Sequence, residues 1–298
     1  MSRKPVPKMK PLSYLLIYIL AVYPLHPAIG VASQNNTETP SYNDTTVVTQ
    51  HYKVTVGESR LQRFVPVVNI ARPDDTGVTH ILWSDLNISG GNDLVFNNAV
   101  SETALSNVVP GGQVWANPNF DGKAANLIIN EVRGGTPSQL EGTIEVAGQK
   151  AAMVIANENG ITCDPCQFIN TSGVTLTTGE PILNRYTGEL AAIGVQKGTV
   201  TVGAKGIDAT NADYLDIISR ATVLNGEIRA KNLALTQGAN RVDFLNQQVT
   251  PIKEFGEKPQ LAVDTRAMGG MYADKIRLVG TEKGVGVNLK NLVTTRDD

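Results

Sequence analysis

The residues able to do chemistry in this chain are scattered carboxylates, three histidines and one pair of cysteines. Asp74 and Asp75 are adjacent within Pro73 to Gly77 (PDDTG). On a strand they would point to opposite faces. In a turn they are better explained as solvated bend formers, since Pro fixes φ while Asp and Gly tolerate the tight geometry. Asp121, Asp164, Glu131, Glu141 and Glu145 are the other carboxylates that could serve a paired acid and base. Glu131 and Glu145 alternate with apolar neighbours, as outward-facing strand residues do. His26 lies in a targeting segment, which leaves His51 and His80. No GxSxG, no metal-ligand spacing and no Ser/His/Asp constellation can be assembled from two histidines. The chain is expected to have no catalytic residues, no metal and no cofactor.

Cys163-Asp164-Pro165-Cys166 holds both cysteines. A redox motif would require a βαβ context and a helix start, and a zinc site would require two more ligands. Neither is present around these residues, and a short-loop disulfide is favoured. An exported chain would keep it oxidised.

The elements that must position these side chains are short and turn-rich. Charged residues make up 18% of the 298 and aromatics 5%, while glycine reaches 28 copies. That is the composition of strands joined by small-residue turns. The formal charge of -2 supplies no basic field for nucleic acid. Arg3, Lys4, Lys8 and Lys10 precede the apolar run Leu12 to Val22, and small residues follow at Gly30, Ala32 and Ser33. Residues 1–33 therefore read as a signal peptide and imply export. Residues 34–46 are polar and aperiodic, a flexible lead-in.

From about Val47 the chain alternates brief apolar runs with Asn, Gly and Pro. Trp83 and Trp115 are expected to plug a core end. The stretch from Trp115 to Thr178 has no room for a helix of ordinary length, and from Leu127 onward strand-like runs recur at roughly twenty-residue spacing, the mark of a solenoid whose rungs bury their apolar side chains only by stacking. A parallel β-helix satisfies that pattern. Asp208 to Arg220 reads as a strand or a single turn outside it, with a helix that puts Tyr214, Ile217 and Ile218 on one face as the alternative. Two turns look alike: Asn117-Pro118-Asn119-Phe120, and Asn157-Glu158-Asn159-Gly160-Ile161.

WANPNF, LIINEV, GTIEVAG, MVIANENGITC, FINTSGVTLTTG, GNDLVFNN and MYADKIRLVGTEKGVGV occur in order along the chain. Together they resemble the secretion domain of two-partner secretion exoproteins, the filamentous haemagglutinins, haemolysins and contact-dependent inhibition toxins of Gram-negative bacteria. The likeness covers residues 47–292 and is nearest to the branch with a Cys pair. It implies an all-β fold, a right-handed parallel β-helix with an N-terminal cap and small extra-helical β elements. A charged tail, 293–298, follows. It also implies a function: the domain is the address read by a dedicated outer-membrane transporter through that partner's periplasmic POTRA domains, after the Sec machinery has exported the chain.

Asn117, Pro118 and Asn119 match the first family turn, with Phe120 where the family has Leu. In the second, Asn157, Asn159, Gly160 and Ile161 match, and Glu158 stands where the family usually has Pro. Each Asn can serve as a local backbone hydrogen-bonding group, as in Asx-turns, or as a direct contact with the transporter. A short adhesin that binds a cell-surface ligand is the alternative function, with a β-helix polysaccharide lyase or hydrolase behind it.

Mass spectrometry of the exported protein should find both thiols oxidised, and two free thiols or a bound zinc ion would overturn the disulfide. Replacing both cysteines with serine should cost at most about 2 kcal/mol, because the ring is small.

Overall fold

The computed structural model describes residues 50–55, 62–109, 112–244 and 246–295. The signal peptide and the lead-in expected over residues 1–46 lie outside the described residues. The chain winds into coils, and each coil places one strand segment on each of three parallel columns. Its first strands are β1 (Gln50–Thr55), antiparallel to β2 (Gln62–Asn69), then β3 (Val78–Trp83) and β4 (Ile88–Asn98). A short antiparallel hairpin of β5 (Thr103–Leu105) and β6 (Gln113–Trp115) interrupts the winding. It resumes through β7 (Leu127–Val132), β8 (Ser138–Gly148), β9 (Ala151–Asn157), β10 (Ile161–Ile169) and β11 (Thr171–Thr177).

A first insertion, β12 (Glu180–Leu183) and β13 (Leu190–Val195), precedes β14 (Thr199–Val202), β15 (Ile207–Ala209), β16 (Leu215–Ser219), β17 (Ala221–Leu224) and β18 (Glu227–Gln237). A second insertion, β19 (Asn240–Asp243) and β20 (Val249–Pro251), precedes β21 (Leu261–Thr265), β22 (Gly270–Gly280), β23 (Gly286–Asn288) and β24 (Leu292–Thr294). Long strands such as β8, β10, β18 and β22 turn a corner and serve two columns. The segment Asp208 to Arg220 becomes β15, a turn and β16, so no helix forms there.

Stacking in register explains why this composition folds this way. On the first column Ile128 pairs with Met153, Met153 with Val174, Val174 with Leu215, Leu215 with Leu233 and Leu233 with Ile276. On the third, Cys166, Ile207, Ile228, Met271 and Leu292 form a second row. Most of these side chains are buried in one continuous core. Burying each is worth roughly 1.5 to 3 kcal/mol, and none could be buried by a single coil alone.

Both sulfurs of the Cys163–Cys166 disulfide sit in this core, on either side of a corner. Asp164 and Pro165 form that corner, where the pairing of β10 with β8 shifts register. The Asp164 carboxylate accepts the Lys205 N–H of the next coil at 2.7 Å. A Cβ on Gly203 would lie 2.2 Å from the Asp164 side chain, so only glycine fits opposite it.

The two insertions meet outside the helix. β12, β13, β19 and β20 make one antiparallel sheet, joined across the insertions by β13 and β19. Ile193, Val195, Leu190 and Phe244 pack over the outward side chains Val78, Ile129, Val154 and Ile218 of the first column. The extra-helical β elements expected from the resemblance are thus a sheet that hides an apolar outer face.

Two sequence expectations need correction, and a third holds with a difference in burial. Trp83 is fully buried, with its indole N–H donated to Asn130 Oδ1 at 3.1 Å, but Trp115 is 65% exposed on the outer face of the β5–β6 hairpin. The plug at that end is instead Val114 and Val109, which face inward against Val65, Val67, Val95 and Ala147. Glu131 and Glu145 point outward from their strands as expected, yet both are buried: Glu131 beside His80 and Arg133, and Glu145 under the loop of the β5–β6 hairpin. Asp74 is buried rather than solvated: it accepts the Thr76 and Val78 N–H groups at 2.9 and 3.0 Å, while Asp75 stays open to solvent.

At the far end the apolar rows run out into solvent. Leu235 is fully buried but its neighbour Leu278 is 36% exposed, and Leu292 is 44% exposed beside a fully buried Met271. β24 includes Val293 and Thr294, which extends the winding into the segment read as a tail. Hydrogen exchange should therefore show residues 285–292 opening far more readily than residues 127–178. Equal protection in a monomer would mean that this end is capped.

Candidate functional site

The two look-alike turns are the same device built twice. In the first, Asn117 Oδ1 accepts the Asn119 N–H at 2.9 Å, and the Phe120 N–H closes on the Asn117 carbonyl at 3.2 Å. In the second, Asn157 Oδ1 accepts the Asn159 N–H at 3.0 Å, and the Gly160 N–H closes on the Asn157 carbonyl at 3.0 Å. Gly160 has a φ of +120°, which a side chain would strain.

What distinguishes these turns from ordinary Asx-turns is where the amide N–H groups go. Asn117 Nδ2 donates to the carbonyls of Ile70 at 2.9 Å and Asn97 at 2.8 Å, while Asn119 Nδ2 reaches the Asn69 and Ile70 carbonyls, both at 3.1 Å. Asn157 Nδ2 donates to the Thr136 carbonyl and Ser138 Oγ, both at 3.0 Å, and Asn159 Nδ2 to the Gly134 carbonyl at 2.7 Å. Each turn is thereby bonded to an earlier part of the winding. Asn117 and Asn157 are buried, as are Gly160 and Ile161; Phe120 is half-buried against the main core. Pro118, Asn119 and Glu158 are the exposed tips, and Glu158 pairs with Lys197 at 3.2 Å.

Sequence reasoning did not find the partners of these turns. Asn97 and Asn98, fully buried at the end of β4, continue the amide network. Asn97 Nδ2 donates to Asn69 Oδ1 and to the Trp115 carbonyl, while Asn98 bonds Ala125 through both its amide N–H and its oxygen. Their signal was the Asn-Asn doublet closing an apolar run. Glu145 holds the hairpin: its carboxylate accepts Ser106 Oγ, the Asn107 N–H and Nδ2, and the Val108 N–H.

Beside the second turn lies a cleft of about 300 Å³ lined by Glu131, Arg133, Glu158 and Glu180. Within it Glu131 bonds His80 Nε2 at 2.7 Å and Arg133 Nε at 2.9 Å. Burial works to raise the Glu131 carboxyl, but those two partners outweigh it and hold it below the usual range. The cleft therefore presents a fixed carboxylate.

A family model for the TPS secretion domain, the two-partner secretion domain, matches residues 41–298. The chain belongs to this family. Its TPS domain is 43% identical over 96% of the chain to a protein named tRNA nuclease CdiA from Escherichia coli strain NC101. It is 41% identical over 98% of its length to a CdiA of the same name from Yersinia mollaretii, and 44% identical over 96% to a 16S rRNA endonuclease CdiA from Enterobacter cloacae. The chain spans only 8 to 9% of those relatives. The crystal structure of the filamentous hemagglutinin secretion domain superposes with a TM-score of 0.70 at 35% identity, covering 82% of each chain. The family's name implies a partner outer-membrane transporter, and its members are secreted or displayed by Gram-negative bacteria.

Asn157→Ala in the TPS domain leaves the Asn159 N–H and the Thr136 carbonyl without their partner and should destabilise by on the order of 2 to 4 kcal/mol. Pro118→Ala touches only an exposed tip and should cost under about 1 kcal/mol. Thermal unfolding of the two variants separates them, and equal midpoints would refute a clamping role for the buried amide.

Proposed function

We propose that this TPS domain is a non-catalytic export address. In this reading Sec machinery delivers the chain to the periplasm, POTRA domains of the partner transporter recognise it, and its coils seed β-helix folding outside the cell as the longer exoprotein emerges. The observation that carries this reading is the pair of turns. Each spends its buried Asn on bonding successive coils, leaving a small exposed tip at Pro118, Asn119 or Glu158 on a rigid support. Such an arrangement suits recognition of shape and gives no reacting group a function. The nuclease names of the relatives describe proteins more than ten times longer.

The test is secretion in a cell that carries the partner transporter. Asn117→Ala and Asn159→Ala should each reduce the protein reaching the medium while leaving the periplasmic pool intact, with far-ultraviolet dichroism taken on the retained protein. Release of both variants at the wild-type level would remove the turns from the address. Pro118→Ala combined with Glu158→Ala should yield a folded domain with weakened binding to isolated POTRA domains. Undiminished binding would move recognition away from the tips.

A further inference from the structure

One carboxyl buried beneath the extra-helical sheet has an oxygen with no hydrogen-bond partner among the described residues. Asp216 lies on the outward face of β16, is only 5% exposed, and its Oδ1 makes no hydrogen bond among the described residues. It borders a small, half-open pocket of about 30 Å³ between the first column and the β19–β20 arm, lined also by Ala234, Thr236, Asp243, Gln247 and Arg277. The cavity has a cause in the register. Asp216 pairs with Ala234, and Ala234 pairs with Arg277, so the acid and the base stand two rungs apart in one row. With rungs about 4.8 Å apart their backbones are separated by about 10 Å, and the alanine between them fills none of the gap.

Other charged or titratable groups near the carboxyl are few. β11 contributes Thr175 beside it, β18 contributes Ala234 and Thr236, and β20 contributes Val249, none of which titrates. β19 contributes Asp243, which accepts the Asn246 N–H at 3.2 Å, and β22 contributes Arg277. Tyr214 and Asp213 precede Asp216 on its own segment.

We infer that Asp216 is a proton-operated latch on the β19–β20 arm, which stays closed over the first column while the carboxyl is protonated and opens more readily when it is ionised. An ionised carboxylate in this position has lost its water without gaining a hydrogen bond at Oδ1, a cost that opening the arm relieves. Burial pushes the carboxyl up to about 7, with Arg277 pulling weakly the other way. In the opened arm the group would titrate near 3.9, the ordinary value. Between these values the closed form holds a proton that the open form releases, so opening becomes easier as pH rises and levels off above about 7. The apolar contacts of Phe244 and Val242 with the first column would then be exposed most often in neutral to alkaline medium.

The test is hydrogen exchange of the full chain, read as protection factors over residues 240–244 and 249–251. Between about pH 6 and about pH 8.5 the wild-type arm should lose protection by about tenfold. Asp216→Asn keeps the shape and removes the charge, and its protection should not change with pH. Asp243→Asn should keep the wild-type response. The inference is overturned if Asp216→Asn retains the pH response, or if Asp243→Asn abolishes it.

Discussion

A coil of this chain cannot bury its own apolar side chains; each row of Val, Ile and Leu becomes a core only when the next coil lies on it in register. Everything else in the structure serves that alignment. A slip of one residue would turn an inward row outward along the whole column. The corners are where such a slip would start, because there the parallel ladder stops and backbone carbonyls need other donors. The amides of Asn117, Asn119, Asn157 and Asn159 supply them, and Asn97, Asn98, Asn170 and Asn291 do the same at other corners. A side-chain amide both donates and accepts. It can therefore close its own turn and bond an earlier coil at once.

The additions to the helix rest on it through apolar side chains, and charged groups fasten them further. Glu145 fastens the β5–β6 hairpin through its carboxylate. Arg220 and Glu282 form a buried pair at 2.9 Å, and Arg220 also donates to the Phe255 carbonyl at 2.6 Å, which ties the second insertion down. Burial would raise the Glu282 carboxyl, but Arg220 and the Ala239 N–H hold it lowered. Its contribution to stability is therefore present above the ordinary carboxylate pKa and is lost as pH falls through the lowered one. Asp216 differs in having no donor at Oδ1 among the described residues, so burial outweighs the pull of Arg277.

Much of the architecture was legible in the chain. Small-residue turns between short β-branched runs point to a solenoid, and the two Asn turns stand out because their residue types repeat at positions that need an Asx geometry. The fates of Trp115, Glu131 and Glu145 were not legible. Alternation assigns a side chain to the inner or outer face of its strand, but it cannot say whether a distant insertion covers the outer face. Glu145 is outward and buried for that reason, Glu131 is outward and buried beside His80 of the neighbouring coil, and Trp115 is exposed because Val114, its neighbour on the hairpin, is the residue that turns inward.

Local propensity and periodicity by themselves determined that the chain forms short strands, that they stack as coils, that the cysteines close a small loop, and that Asn117 and Asn157 begin tight turns. These are properties of neighbouring residues, settled by backbone conformation and by the period of the side chains. Only the tertiary structure decided which carbonyls the turn amides reach, how the two insertions join into one sheet, and why an alanine between Asp216 and Arg277 keeps an acid from its base. Those depend on which coil lies beside which, and that is set by the lengths of the insertions and by register across the columns rather than by any local signal.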